Sequence, residues 1–593
     1  MISFTQGLVL FTGVFTIVYT LILIFSERTD FKFEYKSSTY WLKYSIIFVM
    51  VLTLVLFVCV FIIFDFKDSL LYSLLFPFTV LLMLYMLRSI DVRTSMWTKK
   101  VMLFLVILLH VIIVYNPCYG ISIDERHPAL ARMAIEGFYD TNRPLLNPVY
   151  NPLPMDLSLF LVLFYVPGFS PIHGITQWLV SFFMILTIDL ILYSLVIKLT
   201  EEWISGILAI LILAITPPLN FLEHYCKLAG MMLVLISIFI VIKIFKDRTL
   251  LIAILTLVAS YIAAIFYHPT AGLELFALFG ILLGSLFLKS FNDEAKAVLK
   301  NPLFRALLVY LSIITLARWI YGGGFELLVC SMKNYIVSMF QWKEEEKLVP
   351  LYERAGVNPI QSFAWSTPAA MAGSLILYTL LKKEIWYSVL IPSLAMGGAF
   401  FLSIGLVGAY TRSGGFYASM YPGFILLMPA AALVTFKALR SPLKLIALSL
   451  ILLVTISASV AIKDPMLMRV YIFQKEPGVI IGGGYFPVKE KELTIARSLL
   501  LFAPADKIIK TSFGPAFLYI NPYGNIEAFV GFPGDPKYER DYRLLLQGRI
   551  KYNTIYVINV IQLPKTLLYT EINGISINLI YNANQYITFI RSG

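Results

Sequence analysis

Trp203-Ile204-Ser205-Gly206-Ile207-Leu208-Ala209-Ile210-Leu211-Ile212-Leu213-Ala214-Ile215-Thr216-Pro217-Pro218 contains no charged side chain and only two hydroxyls before its prolines. With Leu219 and Asn220 it approaches the roughly 20 apolar residues that a bilayer demands of a helix. The run is not isolated. Blocks of the same kind occupy 7–26, 42–64, 70–87, 101–116, 174–198, 228–245, 249–267, 272–289, 304–320, 366–381, 385–409, 421–438 and 444–462. Together they predict a polytopic α-helical membrane protein of about fourteen transmembrane helices. Composition agrees, since 59% of the 593 residues are hydrophobic and 14% charged. A mean hydropathy of +0.82 leaves too little polar surface to cover a water-soluble domain. The first block lacks a basic start and a small-residue cleavage site, so it is expected to be retained.

The net charge of +12 would point to nucleic acid in a soluble chain, but here most cations fall in short gaps between apolar blocks. Arg88, Arg93, Lys99 and Lys100 lie in one gap, and Lys243, Lys246 and Arg248 in another. Lys289, Lys296, Lys300 and Arg305, then Lys382 and Lys383, then Lys437, Arg440 and Lys444 occupy three more. The positive-inside rule labels all of these gaps cytoplasmic. The longer connections 117–173, 221–227, 321–365 and 410–420 and the terminal segment 463–593 then lie on the extracytoplasmic side, with both termini. Few charges fall at the centres of the spans, and many at their outer edge. Function is therefore expected on the outer face of a multi-pass protein of the plasma membrane, with membrane lipids as neighbours and no nucleic acid as partner.

The most informative outer loop runs Ser122-Ile123-Asp124-Glu125-Arg126-His127-Pro128-Ala129-Leu130-Ala131-Arg132-Met133-Ala134-Ile135-Glu136-Gly137-Phe138-Tyr139. Pro128 followed by Leu130, Met133, Ala134 and Phe138 at helical spacing predicts a short amphipathic helix ending near Gly137. Asp124 and Glu125 stand at its amino end, where free backbone N–H groups stabilise carboxylates. An ionised carboxylate there can take a proton from a hydroxyl or hold a divalent cation against a phosphate; it can also simply cap the helix. After a Pro- and Asn-rich stretch, Met155 to Gly168 is apolar for about eleven residues, too short to span, and reads as a re-entrant or interfacial helix.

Asp124-Glu125, Ala129, Ala131-Arg132-Met133 and Gly137-Phe138-Tyr139, followed by the proline-rich stretch, resemble the first outer loop of the polyprenyl-phosphate-sugar-dependent glycosyltransferases of the GT-C fold. Protein mannosyltransferases and the aminoarabinose transferase of lipid A belong to that group. The resemblance extends over about 101–462, through Ala214-Ile215-Thr216-Pro217-Pro218, Tyr267-His268-Pro269-Thr270, Tyr410-Thr411-Arg412-Ser413-Gly414-Gly415 and Tyr421-Pro422. It departs in the Asn151-Pro152-Leu153-Pro154 approach to the short outer helix and in the three additional spans before residue 101. The resemblance implies domains at 1–100 (additional N-terminal helices), 101–462 (a catalytic membrane domain with outer loop 117–173) and 463–593 (an extracytoplasmic soluble domain).

It also implies roles. Asp124 would activate the acceptor hydroxyl, supported by Glu125, while Arg412 would grip the donor phosphate through paired hydrogen bonds. Glu223, His224, Lys227 and His268 would face the same cavity and contact phosphate or sugar. The implied activity moves a sugar from an isoprenoid-phosphate donor (polyprenyl or dolichyl phosphate) to an acceptor hydroxyl on a protein, lipid or glycan, with inversion. No cofactor is required; a divalent cation is compatible, and no clustered His/Cys set demands a metal. A lipid-linked glycan ligase or polymerase, a lipid or sugar transporter, and a non-catalytic scaffold are the rival readings.

Two further features stand apart from the resemblance. Thr554 to Val560 and Gly574 to Tyr581 are β-prone, so the terminal segment is expected to be α/β or mostly β. Cys118, Cys226 and Cys330 all fall near the outer side, and their spacing selects no disulfide among them.

Overall fold

The computed structural model describes residues 4–27, 47–55, 70–90, 94–114, 161–169, 174–216, 361–381, 390–410 and 420–440, five short strands between 508 and 591, and isolated positions elsewhere. Among the described residues there are eight long helices: α1 (Phe4–Glu27), α2 (Leu70–Ser89), α3 (Met96–Val114), α4 (Gly174–Thr200), α5 (Trp203–Ile215), α6 (Gln361–Leu381), α7 (Leu390–Tyr410) and α8 (Met420–Arg440). Each falls on one of the apolar blocks. The other six expected spans lie wholly or largely outside the described residues.

The chain forms two compact units. One comprises Met1–Ile121, Phe182–Leu222 and Cys226–Asp464; the other comprises Ser122–Ser181, Glu223–Tyr225 and Pro465–Gly593.

Helix α5 is the centre of the first unit. Every residue from Trp203 to Ile215 is buried, as a helix that is apolar on all sides requires. It packs on α8 and α3. It ends earlier than the apolar run predicts, at Ile215 and not near residue 220, because the residue before a proline is pushed out of the helical region. Thr216, which precedes Pro217, is extended (φ −90°, ψ 106°), and its hydroxyl donates to the Ile212 carbonyl at 2.6 Å.

The join between α4 and α5 is tight. Glu201 takes a left-handed conformation (φ 61°), which costs a non-glycine residue of the order of 1 kcal/mol. Glu202 donates its backbone N–H to the Thr200 hydroxyl at 3.3 Å. The antiparallel helices then meet where Gly206 lies under the Tyr193 ring; a Cβ on Gly206 would come within 2.6 Å of that ring. At the start of α3, Ser95 acts as the cap, its hydroxyl accepting from the Thr98 backbone N–H at 3.3 Å.

Small residues set the other close approaches. On α1, Thr16 faces Gly373 of α6, and its hydroxyl reaches the Ala370 carbonyl at 3.4 Å. Helices α7 and α8 form an antiparallel hairpin in which the backbones nearly touch. A Cβ on Gly398 would stand 2.7 Å from the Gly423 carbonyl oxygen, and one on Gly423 would stand 2.8 Å from the Leu402 nitrogen. Such contacts are how helices associate where lipid removes the hydrophobic drive between them.

Phe182–Thr200 and Gly423–Arg440 are long and apolar enough to cross a membrane by length and composition. The helices also carry apolar side chains on their outer faces. On α1, Tyr19, Ile22 and Leu23 are buried while Ile17, Leu21 and Phe25 are exposed, an arrangement suited to a lipid surround rather than to water. Cations gather at one kind of helix end: Arg88, Lys198, Lys437 and Arg440 lie in the last turns of α2, α4 and α8. Lys99 in the first turn of α3 places its ammonium 5.6 Å from the ring of Trp203, the first residue of α5.

In the second unit the strands β1 (Ile508–Thr511), β2 (Ile526–Ala528), β3 (Thr554–Asn559), β4 (Ile577–Ala583) and β5 (Tyr586–Arg591) form one mixed sheet in the order β2-β1-β3-β5-β4. Strand β1 runs parallel to β2 and β3, while β5 is antiparallel to β3 and β4. Ala583 pairs with Tyr586, and the ladder shifts register between Leu579 and Tyr581. The β-prone segments read from alternation are β3 and, from Ile577 onward, β4. Residues Leu161–Tyr165 are helical, and Gly168 at φ 76° closes the segment with the Phe169 N–H bonded to the Leu163 carbonyl at 2.9 Å. Val162, Tyr165 and Val166 are exposed there.

The Gly398–Gly423 contact makes a prediction. Gly398→Ala is expected to destabilise the protein by about 1–3 kcal/mol, because its Cβ meets a carbonyl oxygen that cannot move without opening the hairpin. Gly13→Ala on α1 meets nothing within 4 Å and is expected to be neutral or slightly stabilising. Thermal unfolding of the detergent-solubilised protein compares the two; equal melting temperatures would contradict the close-contact assignment.

Candidate functional site

Every residue that the sequence nominates for the site, Asp124, Glu125, Glu223, His224, Lys227, His268 and Arg412, lies outside the described residues, as do Cys118, Cys226 and Cys330. What the structure supplies is the scaffold from which some of these segments depart. Helix α3 ends at Val114, ten residues before Asp124, and α5 ends eight residues before Glu223. Arg412 follows the last residue of α7, Tyr410, by two positions, and α8 begins at Met420. The hairpin clamped at Gly398 and Gly423 therefore fixes both ends of the segment that carries Arg412.

Within the described part of the first unit, a buried ionisable pair between helices lies elsewhere. His110 of α3 and Asp189 of α4 meet with the imidazole Nδ1 at 2.9 Å from both carboxylate oxygens. The carboxylate side chain is 0% exposed and the imidazole 5%. The depth of this pair follows from the helices. Lys99 and Lys198 mark the same end of the bundle, because Lys99 sits over Trp203 and α5 starts directly after α4 stops. His110 is eleven residues beyond Lys99 and Asp189 nine before Lys198. At about 1.5 Å per residue these are about 16 Å and about 14 Å from the basic end, half of a hydrocarbon core of about 30 Å.

The couple is among the few ionisable groups that fall at the middle of the spans. The sequence carried a signal for it: Asp189 is the only acidic residue in the block 174–198, and His110 and Tyr115 are the only ionisable side chains in the block 101–116.

A narrow apolar pocket lies in the same unit, lined by Leu84 of α2, Leu211 and Ile215 of α5, Pro368 and Met371 of α6 and Thr435 of α8, among others. Two of its hydroxyls bond carbonyls of their own helices: Thr216 bonds that of Ile212, and Thr435 bonds that of Ala431 at 2.8 Å while also reaching Met371 Sδ at 3.4 Å. The lining therefore suits hydrocarbon rather than a sugar or phosphate. Among the described residues, no group of three or more His, Cys, Asp or Glu side chains is placed to hold a metal ion.

No family model and no curated protein matches the sequence. Among solved structures, the crystal structure of ArnT from Cupriavidus metallidurans in the apo state is similar over 84% of this chain and 98% of that chain, at 12% sequence identity and a TM-score of 0.38. A likeness of that degree assigns neither fold nor activity.

Removing one partner of the buried couple leaves the other desolvated and uncompensated. Asp189→Ala is therefore expected to cost about 1–3 kcal/mol of stability, whereas the double replacement His110→Leu/Asp189→Val, which removes both polar groups, is expected to recover most of it. Melting temperatures of the three proteins in one detergent decide the matter; a double variant as unstable as Asp189→Ala would show that the cost comes from packing and not from an orphaned polar group.

Proposed function

We propose that the chain is a membrane glycosyltransferase that moves a sugar from an isoprenoid-phosphate donor to an acceptor hydroxyl at the extracytoplasmic face of the plasma membrane, with inversion at the anomeric carbon. The observation that carries the reading is the Asp124-Glu125 to Gly137-Phe138-Tyr139 pattern, which stands in the long connection between the apolar helices α3 and α4. In this reading the donor's hydrocarbon stays in the membrane and its sugar-phosphate head reaches the outer loops. Asp124, with Glu125 beside it, accepts the proton of the attacking hydroxyl.

The bond from the anomeric carbon to the phosphate oxygen breaks as the bond to the acceptor oxygen forms, and the lipid phosphate departs as an anion. Arg412 suits that anion because a guanidinium offers two parallel N–H donors. Lys227 and His268 would add positive or donor character near the phosphate, and Glu223 and His224 would face the same cavity and contact phosphate or sugar. The protein, lipid or glycan acceptor and the sugar are chosen by cavity shape. A divalent cation held by Asp124 and the phosphate is compatible with this chemistry and not needed for it.

A second reading, transport of a lipid or sugar, is favoured by one observation, the His110–Asp189 couple at mid-span, since ionisable groups at that depth mark transport and proton pathways.

The proposal is tested by reconstituting the protein with isoprenoid-phosphate sugars and a hydroxyl acceptor. Asp124→Asn is expected to lower transfer by about 100-fold or more with little change in donor binding. Arg412→Lys, which keeps the charge and loses the paired donors, is expected to raise the donor KM more than it lowers kcat. Full transfer by Asp124→Asn would sink the assigned mechanism, and sugar movement across the vesicle with no covalent product would favour the transporter.

A further inference from the structure

We propose that His110 and Asp189 form a one-proton site at the middle of the membrane-spanning bundle, loaded and unloaded through the imidazole Nε2. The inference is independent of the glycosyl-transfer reading and stands whether or not that reading holds.

The couple has two polar ends of different kinds. The carboxylate of Asp189 is 0% exposed and both its oxygens stand 2.9 Å from the imidazole Nδ1, so one proton is committed to the space between carboxylate and Nδ1. The exposure of the couple is on the imidazole, which retains 5%. Nε2, on the opposite edge of the ring from Nδ1, is the remaining nitrogen through which anything can be exchanged.

Charge balance fixes what is exchanged. With a proton on Nε2 the couple is net neutral, whether the shared proton rests on nitrogen or on oxygen. Without it the couple carries one negative charge, which an apolar interior penalises heavily. No other described group at that depth compensates. Helix α5, packed on α3, has no acid, base or phenol from Trp203 to Ile215. Apart from the couple, α4 carries only Tyr193 and Lys198, and α3 only Lys99 and Lys100, with the three lysines at the basic end. On α2, Tyr85 and Arg88 lie in the last two turns. The site therefore takes up one unit of positive charge, and a proton on Nε2 is the form that fits a buried ring. Movement is a simple transfer: Nε2–H gives its proton to an incoming acceptor such as water, and the couple becomes an anion until a proton returns.

The proposal separates from a purely structural hydrogen bond by exchange. Full-length protein in lipid nanodiscs, isotopically labelled at the nitrogens of its five histidines, is transferred to deuterated water and followed by NMR. His110 is assigned by loss of its signal in His110→Gln. Should that variant not fold, a chain in which His127, His173, His224 and His268 are replaced leaves His110 as the only histidine. The expected result is an Nε2–H that exchanges its proton for deuterium faster than the backbone amides of α3 and α4 around it. An Nε2 proton as protected as those amides, or an Nε2 that carries no proton in the folded protein, would overturn the proposal.

Discussion

The described part of the first unit depends on one constraint: α5 has no polar side of its own, so all of it must be surrounded. Thirteen consecutive buried residues require neighbours on every face, and α3 and α8 supply part of that shell. The requirement propagates outward. Because α5 lies in the interior, its partner α4 must approach closely, which Gly206 permits beneath Tyr193 and the left-handed Glu201 makes geometrically possible. Because α8 covers α5, its other side is available for α7, and there the glycine contact at Gly398 and Gly423 draws the backbones together. Residues further out can be apolar and still face away from the protein, as Ile17, Leu21 and Phe25 do on α1.

Much of the helical scaffold was legible as a sequence because a lipid-spanning helix declares itself by length and lack of charge, two properties that need no partner to be read. The boundaries were less legible where local chemistry intervened. The run from Trp203 remains apolar up to Leu219, yet Pro217 stops the helix through its effect on Thr216. At the other end of the same hairpin, nothing in Glu201 itself announces a left-handed turn. The β-prone segments Thr554 to Val560 and Gly574 to Tyr581 were visible from alternation. Their place in a sheet that is partly parallel was not, since strand order depends on connections and not on the strands.

The couple at mid-span shows where a one-dimensional reading loses information. His110 and Asp189 are 79 positions apart, and each alone is a single polar residue in an apolar block. Reading each block by its average hydropathy hides both, because one carboxylate hardly changes a mean over twenty residues. Only the docking of α3 against α4 turns two isolated exceptions into a site. The opposite applies to Asp124 and Arg412, whose proposed roles rest on the pattern of neighbouring residues in their own loops, together with a family resemblance, and need the spatial arrangement to be tested.

The hairpin of α7 and α8 has a thermodynamic consequence for the segment between them. Its two ends are joined by helices whose backbones are already in contact at Gly398 and Gly423. The entropy of bringing those ends together is therefore lost when the helices pair, and not again when a ligand arrives. Under the role proposed for Arg412, two residues after α7, engaging an anion would then cost the rotamers of one long side chain without a second cost for closing the connection. Loosening the glycine contact would return part of the closure cost to the binding step, so a substitution at helix depth would be felt as weaker affinity at the loop.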